Sequence, residues 1–136
     1  MLQLVTHRPN QQQPAFTFFI LNKGMNSGKP LTAPCANCFM AICSSENEKE
    51  MYYWLCWGLW QAKAFDHFLT GSVIMFIRKK ELLDLLQKQA ARINQEAYTA
   101  TVTKVQAMAQ HEEKLLQQLQ LMKQLKRAMI RAHLQH

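Results

Sequence analysis

The chain has 136 residues, of which 49% are hydrophobic, so it suits one domain with a core of its own and is not an intrinsically disordered protein. Its formal net charge is +7, because residues 1–78 carry six Lys/Arg and four Asp/Glu whereas residues 79–136 carry ten and five. No secretory leader and no apolar run of membrane-spanning length is visible, and four cysteines without a leader favour reduced thiols. We therefore expect a cytoplasmic protein without a membrane partner.

The first part of the chain predicts two buried strands joined by a loop. Residues 15–22 (Ala-Phe-Thr-Phe-Phe-Ile-Leu-Asn) and residues 38–43 (Cys-Phe-Met-Ala-Ile-Cys) are short and apolar, which is typical of strands in a core. Between them, residues 23–34 contain two Gly and two Pro and predict a loop. Residues 1–14 hold two prolines and a run of three glutamines with little to bury, so we expect a flexible N-terminal arm.

An aromatic helix and a third strand follow. Ser45 and Glu48 have the spacing of a capping box, in which the serine caps the helix and the glutamate returns a hydrogen bond. We expect a helix over residues 46–64 that is largely buried against the sheet, because its apolar and aromatic positions form a wide arc. Residues 72–77 (Ser-Val-Ile-Met-Phe-Ile) give the clearest strand pattern in the chain.

The remainder of the chain, after Lys79, is helical in composition and contains no Gly or Pro. The stretch from Tyr98 to Thr103 holds three threonines and is the place where a turn or bend would fall. This order of elements predicts an α+β fold: a small antiparallel or mixed sheet of about three strands packed on the aromatic helix, followed by long C-terminal helices. We expect the α+β core in residues 15–80 and the helical C-terminal extension in residues 81–136.

Two blocks of sequence resemble a known family. They are Gly24-Met25-Asn26-Ser27-Gly28-Lys29-Pro30-Leu31 with Pro34-Cys35-Ala36-Asn37-Cys38-Phe39, and Gly71-Ser72-Val73-Ile74-Met75-Phe76-Ile77. Over residues 15–78 the chain resembles a family of short, uncharacterised proteins from Bacteroides-type bacteria. The resemblance implies no activity, because none is assigned to that family, and it leaves the C-terminal helices outside.

The glycine-rich loop of residues 24–30 lacks the pattern of a nucleotide-binding P-loop. A P-loop places four residues between its glycines and continues through Lys and Ser or Thr into a helix. Here three residues separate Gly24 from Gly28, and proline follows Lys29. The backbone N–H groups could still bind an anion, but an ordinary loop between strands is the simpler interpretation.

Cys35 and Cys38 have the spacing of half a zinc site, because two thiolates on one turn can point at the same metal. Closing a four-ligand site would need Cys43, Cys56 or His67, and both of these cysteines lie in apolar segments. A redox function would need the first thiol at a helix N-terminus, whereas this pair leads into a strand. Structural, metal-binding and redox interpretations stay open, and we expect two thiols close in space that hold no metal.

No arrangement of residues indicates catalysis. The sequence contains no recognisable Ser-His-Asp set, no helix with metal-ligand spacing and no paired acidic motif. Asp66 and His67 are adjacent, and adjacent side chains usually point apart instead of sharing acid–base chemistry. We expect a non-enzymatic protein without catalytic residues or a cofactor.

The C-terminal helices suggest two alternative functions, self-association and nucleic-acid binding. A stripe of leucines and methionines predicts a homo-oligomer, and a short helical assembly is favoured over an extended coiled coil because Lys126 and His133 fall on core positions. No acid follows Glu113 while basic residues continue, so the alternative is nucleic-acid binding. The candidate residues for phosphate contacts are Lys123, Lys126, Arg127 and Arg131.

Overall fold

The computed structural model describes residues 1–134 and confirms the α+β fold. The elements in chain order are β1 (Gln3–Thr6), β2 (Thr17–Leu21), β3 (Pro30–Leu31), β4 (Cys38–Ile42), α1 (Glu46–Gln61), a 3₁₀ turn (Asp66–Phe68), β5 (Leu69–Thr70), β6 (Phe76–Ile77), α2 (Lys79–Arg92) and α3 (Gln95–Arg131). The chain divides into two compact units, one from Met1 to Gln95 and one from Glu96 onward. The first is called the sheet unit below, and the second contains nearly all of α3.

The sheet unit is built on four antiparallel strands in the order β1-β4-β2-β3, while β5 and β6 form a separate two-stranded sheet. The central strands β2 and β4 are the two that the apolar runs predicted, with Phe18 opposite Ala41 and Ile20 opposite Phe39. Four of the five residues in each are buried in succession. Because successive side chains point to opposite faces, both faces of the sheet are shielded from solvent at its centre.

The strand β1 is an element that the sequence pattern missed. We expected residues 1–14 to have little to bury, but Gln3–Thr6 pairs with β4, and Leu2 and Leu4 are only 4% and 5% exposed. The expectation is wrong for this part of the segment. Two alternating leucines are a weak strand signal by themselves, and the pairing with β4 is what organises them.

The main core lies between one face of the sheet and the helices α1 and α2. Phe18 and Ile20 point into it, whereas Phe19, between them in β2, joins a second cluster with Cys38 and Met40. The buried members of the main core are Leu2, Leu4, Phe18, Ile20, Phe39, Ala41, Cys43, Tyr52, Cys56, Phe65, Ile77, Leu82 and Leu86. The sheet unit therefore closes a core from its own residues.

The predicted cap starts α1. Ser45 Oγ accepts a hydrogen bond from the Glu48 N–H at 3.1 Å, which satisfies one of the free donors at the helix start. The returning bond goes to a neighbour of the cap, because Glu48 Oε1 accepts from the Ser44 N–H at 3.2 Å. The capping box is thus present, except that the glutamate accepts from the N–H of the residue before the cap instead of from the cap itself.

Only a narrow stripe of α1 is fully buried, formed by Tyr52 and Cys56. Trp57 is 40% exposed, and most of the other aromatic and apolar positions of α1 are half-buried. The expectation of a largely buried helix is therefore wrong. A single sheet face can cover one side of a helix, so the rest of a wide apolar arc stays near the surface.

The strand expected over residues 72–77 is reduced to β6, Phe76–Ile77. Val73 is 94% exposed and Ile74 is 61% exposed, because they lie in the loop that joins β5 to β6. Gly71, at φ +108°, starts this loop, and the carbonyl of Met75 accepts a hydrogen bond from the Gly24 N–H at 2.6 Å. The prediction was wrong because β propensity depends on the residues of one segment, whereas a strand forms only where a second strand pairs with it.

The C-terminal helices separate at Ile93, which has extended backbone, and not in the threonine-rich stretch. Thr101 Oγ1 and Thr103 Oγ1 each donate to the carbonyl four residues earlier, both at 3.1 Å. These bonds satisfy the hydroxyl groups inside the helix, and α3 continues through the stretch for 37 residues in all.

Candidate interaction surface

The outer part of α3 carries a large exposed apolar surface. Every residue from 110 to 134 is exposed. The large apolar side chains in this range are between 49% and 65% exposed: Leu115, Leu116, Leu119, Leu121, Met122, Leu125, Met129, Ile130 and Leu134. Single exposed apolar residues are normal on a protein surface, but a contiguous set marks an interaction site.

The spacing of these residues makes α3 amphipathic. Met108, Leu115, Met122 and Met129 recur every seven residues, and Leu119 lies between two of them at the three- and four-residue steps of a coiled-coil seam. We call this line of residues the α3 stripe. The opposite side of the helix is polar, and the residues that recur there every seven positions are Gln110, Gln117, Gln124 and Arg131.

The four residues predicted to contact phosphate are all exposed on α3 but do not form one group. Lys123, Arg127 and Arg131 follow each other at four-residue steps and therefore lie along one side of the helix, away from the α3 stripe. Lys126 falls inside the stripe, between Met122 and Met129. The structure thus separates three basic residues that could bind an anion from a fourth that lies on the apolar seam.

Cys35 and Cys38 are neighbours, as the spacing predicts. The Cys38 thiol, which opens β4, donates a hydrogen bond to the Cys35 carbonyl at 3.3 Å. Cys38 is 1% exposed and Cys35 is half-buried. Burial is the main cause that raises the pKa of the Cys38 thiol above its ordinary value. The environment therefore favours a neutral thiol at this position, whereas metal binding and thiol exchange both use the thiolate.

The other two cysteines lie in the main core, as expected. Burial raises the pKa of Cys43 to about 12 and raises that of Cys56 strongly. The Cys56 thiol donates to the carbonyl of Gly28 at 3.0 Å, which ties α1 to the glycine-rich loop. Asp66 and His67 are both exposed on the 3₁₀ turn. Within residues 1–134, no group of three or more His, Cys, Asp or Glu side chains is placed to hold a metal ion.

The glycine-rich loop uses its backbone donors internally. The N–H groups of Gly24, Ser27, Gly28 and Lys29 all donate to carbonyl groups of the protein, at distances between 2.6 and 3.2 Å. These donors are therefore occupied and do not point at a vacant anion site. The geometry agrees with the simpler interpretation of a loop for residues 24–29. The loop predicted over residues 23–34 is wrong at Pro30–Leu31, which form β3 because they pair with β2.

The aromatic arc of α1 is engaged within the sheet unit. Ring centroids lie 5.6 Å apart for Phe18 and Tyr53, 5.1 Å for Tyr53 and Trp54, and 5.6 Å for Trp54 and Trp57, all edge to face. Trp54 Nε1 donates to Glu50 Oε2 at 3.2 Å. These contacts are typical of packing between aromatic rings and account for the half-buried positions of the arc.

A second exposed apolar segment was missed by the sequence pattern. It is the loop of Val73, Ile74 and Met75, which the run of β-formers had assigned to a strand. In the sequence, Gly71 is a local signal for a turn, because glycine readily adopts positive φ. In the structure Gly71 has this conformation.

The chain is a small α+β protein with a long C-terminal helix whose apolar side chains are exposed. A family model described as "Family of unknown function (DUF6943)" matches residues 4–132, and the chain belongs to this family. The uncharacterised status agrees with the resemblance, but the match also includes α3, which the resemblance had left outside. No curated protein and no solved structure matches the chain. In the described part of the chain, no helix is long and apolar enough to cross a membrane.

Proposed function

We propose that the protein is a non-enzymatic interaction module that forms a homo-oligomer through the α3 stripe. The observation that supports this is the unbroken exposure of residues 110–134, which include nine large apolar side chains. Helices in water gain little from propensity alone and take most of their stability from packing an apolar face. An α3 with its apolar face in water is therefore a helix that lacks its main source of stability.

A second copy of α3 would supply that packing. Covering a Leu or Met side chain that is now half to two-thirds exposed contributes on the order of 1 kcal/mol, from roughly 25 cal/mol per Å² of apolar surface. Association costs at least several kcal/mol in lost freedom of motion, so the whole stripe is needed and not a single contact. A stripe that extends over three heptads, from Met108 to Met129, meets this requirement.

The test is the mass of the full chain in solution, measured by light scattering over a range of concentrations together with circular dichroism. We expect more than one chain per particle, and helicity that decreases on dilution. Leu115→Glu combined with Leu119→Glu should give monomers. The matched control is Gln117→Glu with Gln124→Glu, which adds the same charge on the opposite side and should stay associated. A monomeric full chain, or equal dissociation of both variants, overturns the proposal.

Nucleic-acid binding is the second candidate function, and the row of Lys123, Arg127 and Arg131 supports it. Titration with DNA and RNA at several salt concentrations should show affinity that falls steeply with salt, because phosphate contacts release counterions. Replacing the three residues by Gln should reduce the salt slope by about one unit per lost contact. The same replacement at Lys23 and Lys63 of the sheet unit should have little effect. Absence of binding at low salt dismisses this candidate.

A cytoplasmic location is part of the same proposal. All four cysteines are free thiols, and reduced thiols are the rule in the cytoplasm. An origin in Bacteroides-type bacteria remains a prediction from the resemblance. Fractionation of cells that express the protein, followed by immunodetection, would test the location.

A further inference from the structure

We infer that two copies of α3 pair in antiparallel orientation and cross near Leu119, so that Glu112 of each copy lies beside Lys126 of the other. The inference rests on the proposed self-association and names its geometry. An antiparallel alignment centred on Leu119 sets position 112 opposite position 126, because each is seven residues from the centre. The partner that fits the α3 stripe is therefore a second copy of this chain.

The charges inside the seam distinguish the two orientations. Glu112, Leu119 and Lys126 occupy equivalent positions of successive heptads, on the same line of the helix. A parallel pair in register would place Glu112 against Glu112 and Lys126 against Lys126, which gives two like-charge contacts in a region that loses water on binding. The antiparallel pair replaces them by two contacts between opposite charges.

The charges outside the seam favour the same orientation. The acids of α3 are Glu96, Glu112 and Glu113, all on the N-terminal side of Leu119. On the C-terminal side, Lys123, Lys126, Arg127 and Arg131 have no acid among them. The N-terminal side also holds Lys104 and Lys114, so its three acids and two lysines leave a net charge of −1. Antiparallel pairing brings the basic half of each helix against this side of the other, and it also opposes the two helix dipoles. Parallel pairing brings the two basic halves together.

Two pairs of large apolar side chains face each other in this alignment besides Leu119 with itself, whereas Leu115 of the α3 stripe falls opposite Lys123. Met108 falls opposite Ile130, each eleven residues from the centre, and Leu116 falls opposite Met122, each three residues from it. All four side chains are more than half exposed in the single chain. The alignment therefore brings Met108, Leu119 and Met122 of the α3 stripe against apolar side chains, and it pairs Glu112 with Lys126.

Charge reversal in the full chain tests the pairing. Glu112→Lys and Lys126→Glu should each weaken association about tenfold or more, because each creates like charges across an antiparallel seam. The double variant should restore the affinity of the original chain. A parallel pair predicts otherwise, since each single change only replaces one like-charge contact by another. Two single variants with unchanged affinity would overturn the inference.

Distances between spin labels test the orientation independently. In a Cys35→Ser background, labels at Gln117→Cys and Gln110→Cys lie on the polar side of α3, clear of the seam. At 1.5 Å per residue, antiparallel chains place the two labels about 6 Å apart along the axis at position 117 and about 27 Å apart at position 110. Parallel chains give equal distances at both positions. Associated chains with equal distances would overturn the orientation alone, whereas monomers would overturn the proposed function as well.

Discussion

The sheet unit and α3 are both rich in apolar residues, but these residues are buried in the sheet unit and exposed in α3. Phe18 in β2 is 1% exposed, and it packs in a core that the sheet unit closes by itself. Leu119 in α3 is 49% exposed, within a stretch where every side chain faces solvent. Large apolar side chains are thus buried in the core of the sheet unit but exposed on the surface of α3. Apolar content therefore predicts burial only when another segment is available to cover it.

We expect the largest loss of stability from a substitution that leaves a cavity in the core of the sheet unit. Phe18→Ala should lower the free energy of unfolding by about 3–5 kcal/mol, because it removes a buried aromatic side chain that the neighbours cannot replace. Leu119→Ala should leave the unfolding of the sheet unit unchanged within about 0.5 kcal/mol. Urea unfolding followed by the fluorescence of the three tryptophans in α1 measures both. A comparable loss in both variants would show that the two regions share one core.

A backbone test inside the sheet unit comes next. Gly28 has φ +99°, and a Cβ at this position would overlap the ring of Phe65. Gly28→Ala should therefore destabilise the sheet unit by roughly 1–3 kcal/mol.

The matched control for this variant is Gly58→Ala in α1, where a Cβ would meet nothing within 4 Å. Alanine forms helices better than glycine, so this change should stabilise the protein by up to about 1 kcal/mol. Thermal unfolding of both variants gives the two signs. A neutral Gly28→Ala variant would contradict the close packing of this loop on Phe65.

Removal of the α1 cap should have a smaller effect. Ser45→Ala loses the oxygen that accepts from the Glu48 N–H and should cost about 1 kcal/mol. Ser72→Ala, in an exposed loop, should change stability by less than about 0.5 kcal/mol. Chemical unfolding of both variants measures the difference. Equal stabilities would show that the cap is dispensable once α1 is packed on the sheet.

The buried thiols should make the sheet unit less stable at alkaline pH. Burial, with a further contribution from Glu48, raises the pKa of Cys43 from 9.0 to about 12. The unfolded chain loses this proton near pH 9 while the folded chain keeps it, so the stabilisation is complete below pH 9 and is lost as the pH rises from 9 towards 12.

Burial raises the pKa of Tyr52 and Tyr53 as well, so their effect has the same sign. Cys43→Ala should therefore reduce the alkaline loss of stability without abolishing it. The measurement is the free energy of unfolding of both chains as a function of pH. Stability that increases with pH in this range would be inconsistent with buried neutral thiols.

We expect the removal of metal ions to have the smallest effect on stability. Elemental analysis of purified protein should find no stoichiometric zinc, and a chelator should leave the unfolding temperature unchanged. Closing a tetrahedral site on Cys35 and Cys38 would need two more ligands. About one zinc per chain would show that Cys43 and Cys56, or the same turn of a second copy, complete the site.

Features that depend on a few neighbouring residues could be predicted from the sequence alone. The apolar runs of β2 and β4 located the centre of the sheet, and Ser45 with Glu48 located the start of α1. The heptad spacing of leucines and methionines located the α3 stripe. Each is a local pattern, because strand period, helix period and capping spacing are properties of one short segment.

Whether a segment has a neighbour to pair or pack with could not be predicted in this way. The chain before Pro9 contributes β1 because β4 offers it a free edge, whereas Val73, in a segment with stronger β propensity, finds no strand beside it. The exposure of Leu119 likewise could not be predicted from its spacing. Burial depends on pairs of segments that are distant in the chain, and local sequence patterns do not contain that information.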